Sequence, residues 1–108
     1  MPFALIILDV DSFKQINDTY GHAAGDAALK RVAGLLMRTF RSIDYVCRLG
    51  GDEFAIIMVE MTSGLKYTIQ EKIQSINETL KTADGDIPAT SLSVGVAFSD
   101  RENPGKTI

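Results

Sequence analysis

The sequence has few of the residues that mark secreted, membrane-spanning or nucleic-acid-binding chains. One cysteine and one histidine occur in 108 residues, which excludes an internal disulfide and fits a reducing compartment, so a cytoplasmic location is expected. The longest apolar run, 3–8, is too short to cross a bilayer and follows no basic leader. A formal net charge of −3 argues against a basic face for nucleic acid. We expect no nucleic-acid polymer as partner and no direct membrane contact, which leaves open a membrane anchor elsewhere in a longer protein.

The composition, 45% apolar and 23% charged, predicts one soluble domain. A continuous apolar run predicts a central strand covered on both faces, three- and four-residue spacings predict helices that cover a sheet, and strict alternation predicts the last strand. The expected segments are a strand at 4–8, a short helix from Ser12 to 17 or 18 with Asp11 or Ser12 as N-cap and Gly21 as its stop, a helix at 24–40, strands at 45–48 and 54–59, a helix at 65–81, a strand at 90–98 and a polar tail from 99 to 108.

The order of the main elements, β-α-β-β-α-β, predicts an α+β fold. Right-handed crossovers place the strands as 4-1-3-2 in an antiparallel sheet with helices packed on it. Gly50–Gly51 predicts a hairpin between strands 2 and 3, because glycines permit the positive φ angles of a tight turn. Strand 3 then runs antiparallel beside strand 1, so the end of strand 1 meets the hairpin turn. This topology brings Asp9 and Asp11 to Asp52 and Glu53.

Four carboxylates at one edge require a compensating cation. Mg²⁺ prefers oxygen ligands and is usually held by one or two carboxylates plus substrate phosphates, so the cluster indicates phosphoryl or nucleotidyl transfer. Phosphate binding is expected at the bare backbone of Gly50 and Gly51. The free N–H groups near Ser12, Phe13 and Lys14, at the start of the first helix, are expected to contribute together with the Lys14 charge.

Two motifs resemble the GGDEF domain of bacterial diguanylate cyclases. One is the pentapeptide Gly-Gly-Asp-Glu-Phe at 50–54, and the other is DVDSFKQINDTYGHAAGD at 9–26. They occur in the right order with the matching predicted topology, and the last strand is of the Ser-Val-Gly-Val type. The resemblance implies a partial GGDEF domain over 1–108, without the family's segment before the first strand and without its C-terminal helix. A fragment of this kind is expected to be weakly active or inactive by itself.

The resemblance also implies an activity. Diguanylate cyclases condense two GTP into cyclic di-GMP and two pyrophosphates as a homodimer that depends on Mg²⁺ or Mn²⁺. By position, Asp9, Asp52 and the Val10 carbonyl are implied as metal ligands, and Asp52 or Glu53 is implied to assist deprotonation of the ribose 3′-hydroxyl.

Further ligand contacts follow from the same resemblance. Asn17 and Asp26 match positions that hydrogen-bond the guanine edge. Arg41 and Asp44 resemble the R-x-x-D site at which cyclic di-GMP inhibits the enzyme, and Lys72 falls about where a further product-binding arginine often lies.

Other interpretations remain open at this stage. One is a catalytically inactive GGDEF module that binds GTP or cyclic di-GMP to regulate an attached domain. Another is the palm-like core of a nucleic-acid polymerase, which the acidic charge and the short length oppose. The plainer alternatives for single residues are a strand exit and helix cap for Asp9 and Asp11, capping or surface roles for Asn17 and Asp26, and a loop salt bridge for Arg41–Asp44.

Overall fold

Four strands form one antiparallel sheet, and helices cover one of its faces. The structure is a computed structural model that describes residues 3–59 and 65–99, without the side chains of 65, 66 and 99. The predicted tail beyond 99 and the side chain of Leu65 lie outside the described residues. The elements are β1 (Phe3–Val10), α1 (Phe13–Tyr20), α2 (His22–Thr39), β2 (Tyr45–Gly50), β3 (Glu53–Met58), α3 (Leu65–Leu80) and β4 (Leu92–Ser99).

The strand order is β2-β3-β1-β4, with all neighbours antiparallel. This is the predicted order read from the other edge, so the topology expected from the element sequence is confirmed. β1 lies between β3 and β4, and its last residues therefore have a neighbour on both sides. The candidate site lies at that end of β1.

The element boundaries shift by a few residues from the sequence-based expectation. Helix α2 begins at His22 because Gly21, at φ 94°, ends α1 and is also the N-cap of α2. Ser12 is the N-cap of α1, as one of the two expected alternatives, but its side chain makes no capping hydrogen bond. Strand β3 begins at Glu53, which extends its pairing with β1 as far as Asp9.

The core lies between the sheet and helices α2 and α3. Along β1 the even-numbered apolar residues are buried. Their β3 partners are buried as well, and β4 contributes Leu92, Val94 and Phe98, whereas Val96 is 41% exposed. The sequence predicts an apolar stripe on the 24–40 helix, formed at three- and four-residue spacings by Leu29, Val32, Ala33, Leu36 and Phe40. This prediction is confirmed, because four of the five are buried and Ala33 packs against the buried cluster. The buried cluster consists of Ala4, Ile6, Leu8, Val10, Leu29, Val32, Leu36, Phe40, Phe54, Ile56, Met58, Ile69, Ile76, Leu80 and Leu92.

The expectation that β1 is covered on both faces is wrong in the described part of the chain. Phe3, Leu5 and Ile7 are only half-buried, and Asp9, on the same face, is exposed. Helices α2 and α3 both pack on the opposite face. An uninterrupted apolar run contains no period that separates an open face from a covered one, so the sequence does not distinguish the two cases.

Helix α3 also fixes the start of β4. The side-chain amide of Asn77 accepts a hydrogen bond from the Leu92 N–H (2.8 Å) and donates one to the Leu92 carbonyl (3.4 Å). The Thr90 N–H donates to the Leu80 carbonyl at 3.0 Å. These bonds fix the position at which β4 enters the sheet.

No helix in the described residues combines the length and apolar character required to cross a bilayer.

Candidate active site

The end of β1 and the β2–β3 turn are neighbours, as the sequence predicted. Asp9 is paired with Glu53 in the β1–β3 ladder. The Val10 N–H donates to the Asp52 carbonyl at 3.0 Å. Asp9 is exposed, whereas Asp52 and Glu53 are half-buried. The backbone therefore brings two carboxylate-bearing segments together from positions more than forty residues apart in the sequence.

Asp11 departs from the expected four-carboxylate cluster. Its carboxylate accepts hydrogen bonds from the hydroxyls of Ser91, at 2.5 Å, and Ser93. Its N–H donates to the Ser91 carbonyl at 2.9 Å, and its own carbonyl accepts from the Thr90 hydroxyl at 3.0 Å. Within residues 3–59 and 65–99, no group of three or more His, Cys, Asp or Glu side chains is arranged to hold a metal ion. The expected cluster of four carboxylates is therefore wrong for the described residues. For Asp11 the reason is that residues 90–93, at and just before the start of β4, supply its hydrogen-bond partners.

The Gly-Gly turn depends on glycine for its backbone conformation. Gly50 and Gly51 have φ angles of 143° and 53°, and a Cβ at either position would meet no atom within 4 Å. Side chains other than glycine are strained at such angles even in open space. Arg48 braces the turn, since its Nε and Nη2 donate to the Gly51 carbonyl at 3.0 and 2.8 Å. Sequence reasoning missed this role of Arg48, although its position two residues before the glycines was the available signal.

The first turn of α1 lies directly after the end of β1. Ser12 has φ 58° and ψ 27°, and its carbonyl accepts the first helical hydrogen bond, from the Ile16 N–H at 3.0 Å. The N–H groups of Phe13 and Lys14 therefore have no acceptor within the helix. Ser12 and Lys14 are exposed and Phe13 is half-buried. This arrangement suits the binding of an anionic group at the helix start.

Asn17 lies at a close contact between α1 and α2. A Cβ built on Gly25 would lie 1.8 Å from Oδ1 and 2.9 Å from Cγ of Asn17, so the amide rests on the bare backbone of Gly25. Asp26 is the next residue and is exposed. It borders a groove of about 460 Å³ between α2 and β2, with Leu29 and Phe54 among the lining residues. The Asn17 amide thus packs against the residue that precedes Asp26, and Asp26 borders a partly apolar groove.

Arg41 and Asp44 bind each other. Arg41 donates from Nη2 to Asp44 Oδ1 at 2.8 Å and from Nε to both carboxylate oxygens at 3.1 and 3.2 Å. Its Nη2 also donates to the Val59 carbonyl at 2.8 Å. The Asp44 side chain is 0% exposed and that of Arg41 is 35% exposed. The pair therefore ties the α2–β2 connection to the end of β3, a structural role that exists whether or not it also binds a ligand.

Lys72 lies at the C-terminal end of α2, which comes just before this pair in the chain. Its ammonium group donates to the Thr39 carbonyl and lies 5.4 Å from the centre of the Phe40 ring. A cation at this place stabilises the C-terminal end of α2. Lys72 is thus close in space to the segment that contains Arg41, with its charge directed at the last turn of the helix.

Comparison with known proteins decides the family. The family model described as "Diguanylate cyclase, GGDEF domain" matches residues 1–108. The chain belongs to the GGDEF domain family. Diguanylate cyclase DosC of Escherichia coli K12 is 45% identical over 99 residues, which are 90% of this chain and 22% of DosC. The GGDEF chain accordingly spans about a fifth of the length of this relative, and of TpbB from Pseudomonas aeruginosa, 40% identical over 97 residues and likewise 22% covered.

Solved GGDEF structures have the same fold. The GGDEF domain of TpbB (YfiN) from P. aeruginosa superimposes with a TM-score of 0.78 at 37% identity, covering 90% of this chain and 62% of that one. The GGDEF domain of DgcB from Caulobacter crescentus, solved in complex with cyclic di-GMP, gives a TM-score of 0.77 at 30% identity, covering 98% and 63%. Both confirm the α+β fold expected from the sequence.

Proposed function

We propose that this GGDEF chain is the catalytic domain of a cytoplasmic diguanylate cyclase, which condenses two GTP into cyclic di-GMP and two pyrophosphates. The observation that carries the proposal is the junction of β1 with the β2–β3 turn, where the Val10 N–H donates to the Asp52 carbonyl at 3.0 Å. This junction places the Asp9 and Asp52 segments at one edge. It is the arrangement that nucleotidyl transfer with a divalent metal requires.

The residues at the junction fit Mg²⁺ or Mn²⁺. The proposed ligands are the carboxylates of Asp9 and Asp52 and the carbonyl of Val10, all of them oxygen donors. Two carboxylates leave room for substrate phosphates, which is how Mg²⁺ is usually held at transfer sites. When bound, the metal would neutralise developing negative charge and lower the pKa of an oxygen nucleophile.

The remaining residues of the site bind and orient GTP. The N–H groups of Phe13 and Lys14 and the Lys14 ammonium are suited to the triphosphate, with Ser12 and the Gly50–Gly51 turn beside them. Asp52 or Glu53 accepts the proton of the ribose 3′-hydroxyl.

The guanine base is assigned to the Asn17–Asp26 pair. A carboxylate accepts from N1–H and the exocyclic amine of guanine, and an amide can both donate and accept. Adenine presents a different pattern of donors and acceptors on that edge. The contact of Asn17 with Gly25 supports this assignment, because it holds the amide against the residue that precedes Asp26.

We propose a homodimer for catalysis, in which two GTP-loaded domains face each other, because the product contains two nucleotides. DgcB binds cyclic di-GMP in its solved structure. For this chain we propose that cyclic di-GMP inhibits through Arg41, Asp44 and Lys72. Binding there would replace the ion pair between Arg41 and Asp44 with bonds to the ligand.

The test is Asp52→Asn in the full-length protein, assayed for cyclic di-GMP formation from GTP with Mg²⁺. We expect product formation to be lost while the fold is retained, because the substitution removes one anionic ligand without changing side-chain size. Asp86→Asn, at an exposed aspartate of the loop before β4, is the matched control and should remain active. Unchanged turnover in Asp52→Asn would refute the proposal. A wild-type protein that binds GTP but forms no product would instead indicate an inactive regulatory module.

A further inference from the structure

Asp11 has an unusual set of partners for a residue at the edge of the candidate site. Both oxygens of its carboxylate accept serine hydroxyls, Oδ2 from Ser91 and Oδ1 from Ser93. Its N–H and its carbonyl are also bonded, to the Ser91 carbonyl and the Thr90 hydroxyl. All four of these bonds go to residues 90–93, at and just before the start of β4. We refer to Asp11, Ser91 and Ser93 as the Asp11 cluster.

The bond of the Asp11 N–H fixes the direction of the Val10 carbonyl. The two groups belong to one planar trans peptide, in which the C=O and the N–H point in opposite directions. Because the Asp11 N–H points to β4, and β1 lies between β3 and β4, the Val10 carbonyl points away from β4. That is the side on which Asp52 lies and to which the Val10 N–H also points.

We propose that Asp11 is a positioning residue, which through Ser91 and Ser93 locks the Val10–Asp11 peptide so that the Val10 carbonyl faces the metal site. This inference rests on the proposed function. It assigns Asp11, Ser91 and Ser93 a role outside the ligand set. The cluster acts on the metal only through the orientation of this peptide.

The surroundings of Asp11 oppose a direct role as a ligand. Asp11 is half-buried and both its oxygens are hydrogen-bonded, whereas Asp9, two residues earlier, is exposed. Partners of the cluster are held firmly, since the Asn77 amide and the Leu80 carbonyl bind the two residues that flank Ser91. A rigid β4 is what allows short serine hydroxyls to orient a peptide of β1.

The test measures the metal-linked part of nucleotide affinity. Calorimetry on the full-length protein gives the affinity for a non-hydrolysable GTP analogue with Mn²⁺ and with excess EDTA, and the ratio of the two isolates the contribution of the metal. We expect Asp11→Ala to lower this ratio by roughly 10- to 100-fold, the usual effect of removing a partner that orients a ligand. The EDTA affinity should stay near that of wild type. Loss of folding alone would lower both affinities together.

Two further variants separate positioning from ligation. Asp11→Asn should have a much smaller effect than Asp11→Ala, because the amide still accepts from one serine hydroxyl and can donate to the oxygen of the other. A metal ligand would lose its charge in both variants and be impaired in both. The double variant Ser91→Ala/Ser93→Ala should reproduce Asp11→Ala, and adding it to Asp11→Ala should cause little further loss, because the three residues act as one unit.

Controls and contrary outcomes are as follows. Ser75→Ala, at an exposed serine of α3, should leave the ratio unchanged, and Ser93→Thr should retain it because the hydroxyl remains. If Asp11→Ala fails to fold, the inference is tested instead by comparing the affinity ratio of Ser93→Ala with that of Ser93→Thr. An inert serine double variant, or Asp11→Asn as damaging as Asp11→Ala, overturns the inference. Asp52→Asn with an unchanged ratio would overturn the proposed function instead.

Discussion

Gly25→Ala separates the stability of helix α2 from the guanine-binding role proposed for Asn17. The new Cβ would lie 1.8 Å from Asn17 Oδ1 and 2.9 Å from its Cγ. Contacts this short are not tolerated, so something must move. The Asn17 amide is the end of a short side chain and can rotate, whereas the backbone of α2 is fixed by its helical hydrogen bonds. We expect the amide to leave its place against the backbone of Gly25.

Gly25→Ala should affect the stability of the protein and its affinity for GTP differently. Replacing glycine by alanine within a helix stabilises it by up to about 1 kcal/mol, and displacing a half-buried amide offsets part of that gain. The free energy of unfolding should therefore be unchanged or slightly higher. Loss of the hydrogen bonds of Asn17 to guanine, about 0.5–1.5 kcal/mol, should weaken GTP binding by roughly two- to tenfold.

The assay pairs urea unfolding with GTP binding on the same full-length variants. Gly34→Ala is the matched control in the same helix, because its Cβ would approach only Arg38 Nη1, at 3.3 Å, the end of a flexible side chain. It should gain similar stability and bind GTP normally. The reasoning is refuted if Gly25→Ala binds GTP like wild type, or if its effect is undiminished when Asn17 is already alanine.

Two further perturbations test the core and the ion pair. Leu36→Ala should lower the free energy of unfolding by about 2–5 kcal/mol, because the side chain is fully buried and its loss leaves a cavity. Met37→Ala, at a 66% exposed neighbour, should change the free energy of unfolding by less than about 0.5 kcal/mol. Equal effects of the two variants on urea unfolding would contradict the core assignment. Arg41→Ala should relieve inhibition by added cyclic di-GMP at an unchanged initial rate per folded molecule. Arg41→Ala should also lower the free energy of unfolding by about 1.5–3 kcal/mol, since the buried Asp44 carboxylate loses its charged partner. Inhibition that persists in this variant would show that Arg41–Asp44 is a purely structural pair.

The sheet could be predicted from the sequence because its order follows from a few strong constraints. Once the hairpin at Gly50–Gly51 and the two crossover helices are recognised, handedness leaves one arrangement of four strands. The neighbourhood of Asp9 and Glu53 is a direct result of that arrangement. The apolar stripe of α2 was equally readable, since its period matches one face of a helix.

Details that depend on side-chain partners far along the chain could not be predicted. Asp11 and Ser93 are 82 residues apart in sequence, and no local pattern relates them. The contact of Asn17 with Gly25 is hidden for a similar reason, because a glycine in a helix gives no sign of which side chain occupies the space beside it. The open face of β1 could not be predicted, because a strand with one half-buried apolar face has the same composition as a strand that is buried on both faces.

Asp9 and Asp11 show why residue type and spacing alone do not assign a role at this edge. The two carboxylates lie two residues apart at the end of one strand, and the sequence placed both in one acidic cluster. The strand continues its pairing at Asp9, whose side chain is exposed beside Glu53. At Asp11 the chain turns towards α1, and the Ser91 and Ser93 hydroxyls take both carboxylate oxygens. In the roles proposed above, the Asp11 carboxylate orients the backbone and the exposed Asp9 carboxylate binds the cation. The different roles proposed for Asp9 and Asp11 thus follow from where β1 ends and from the register of β4.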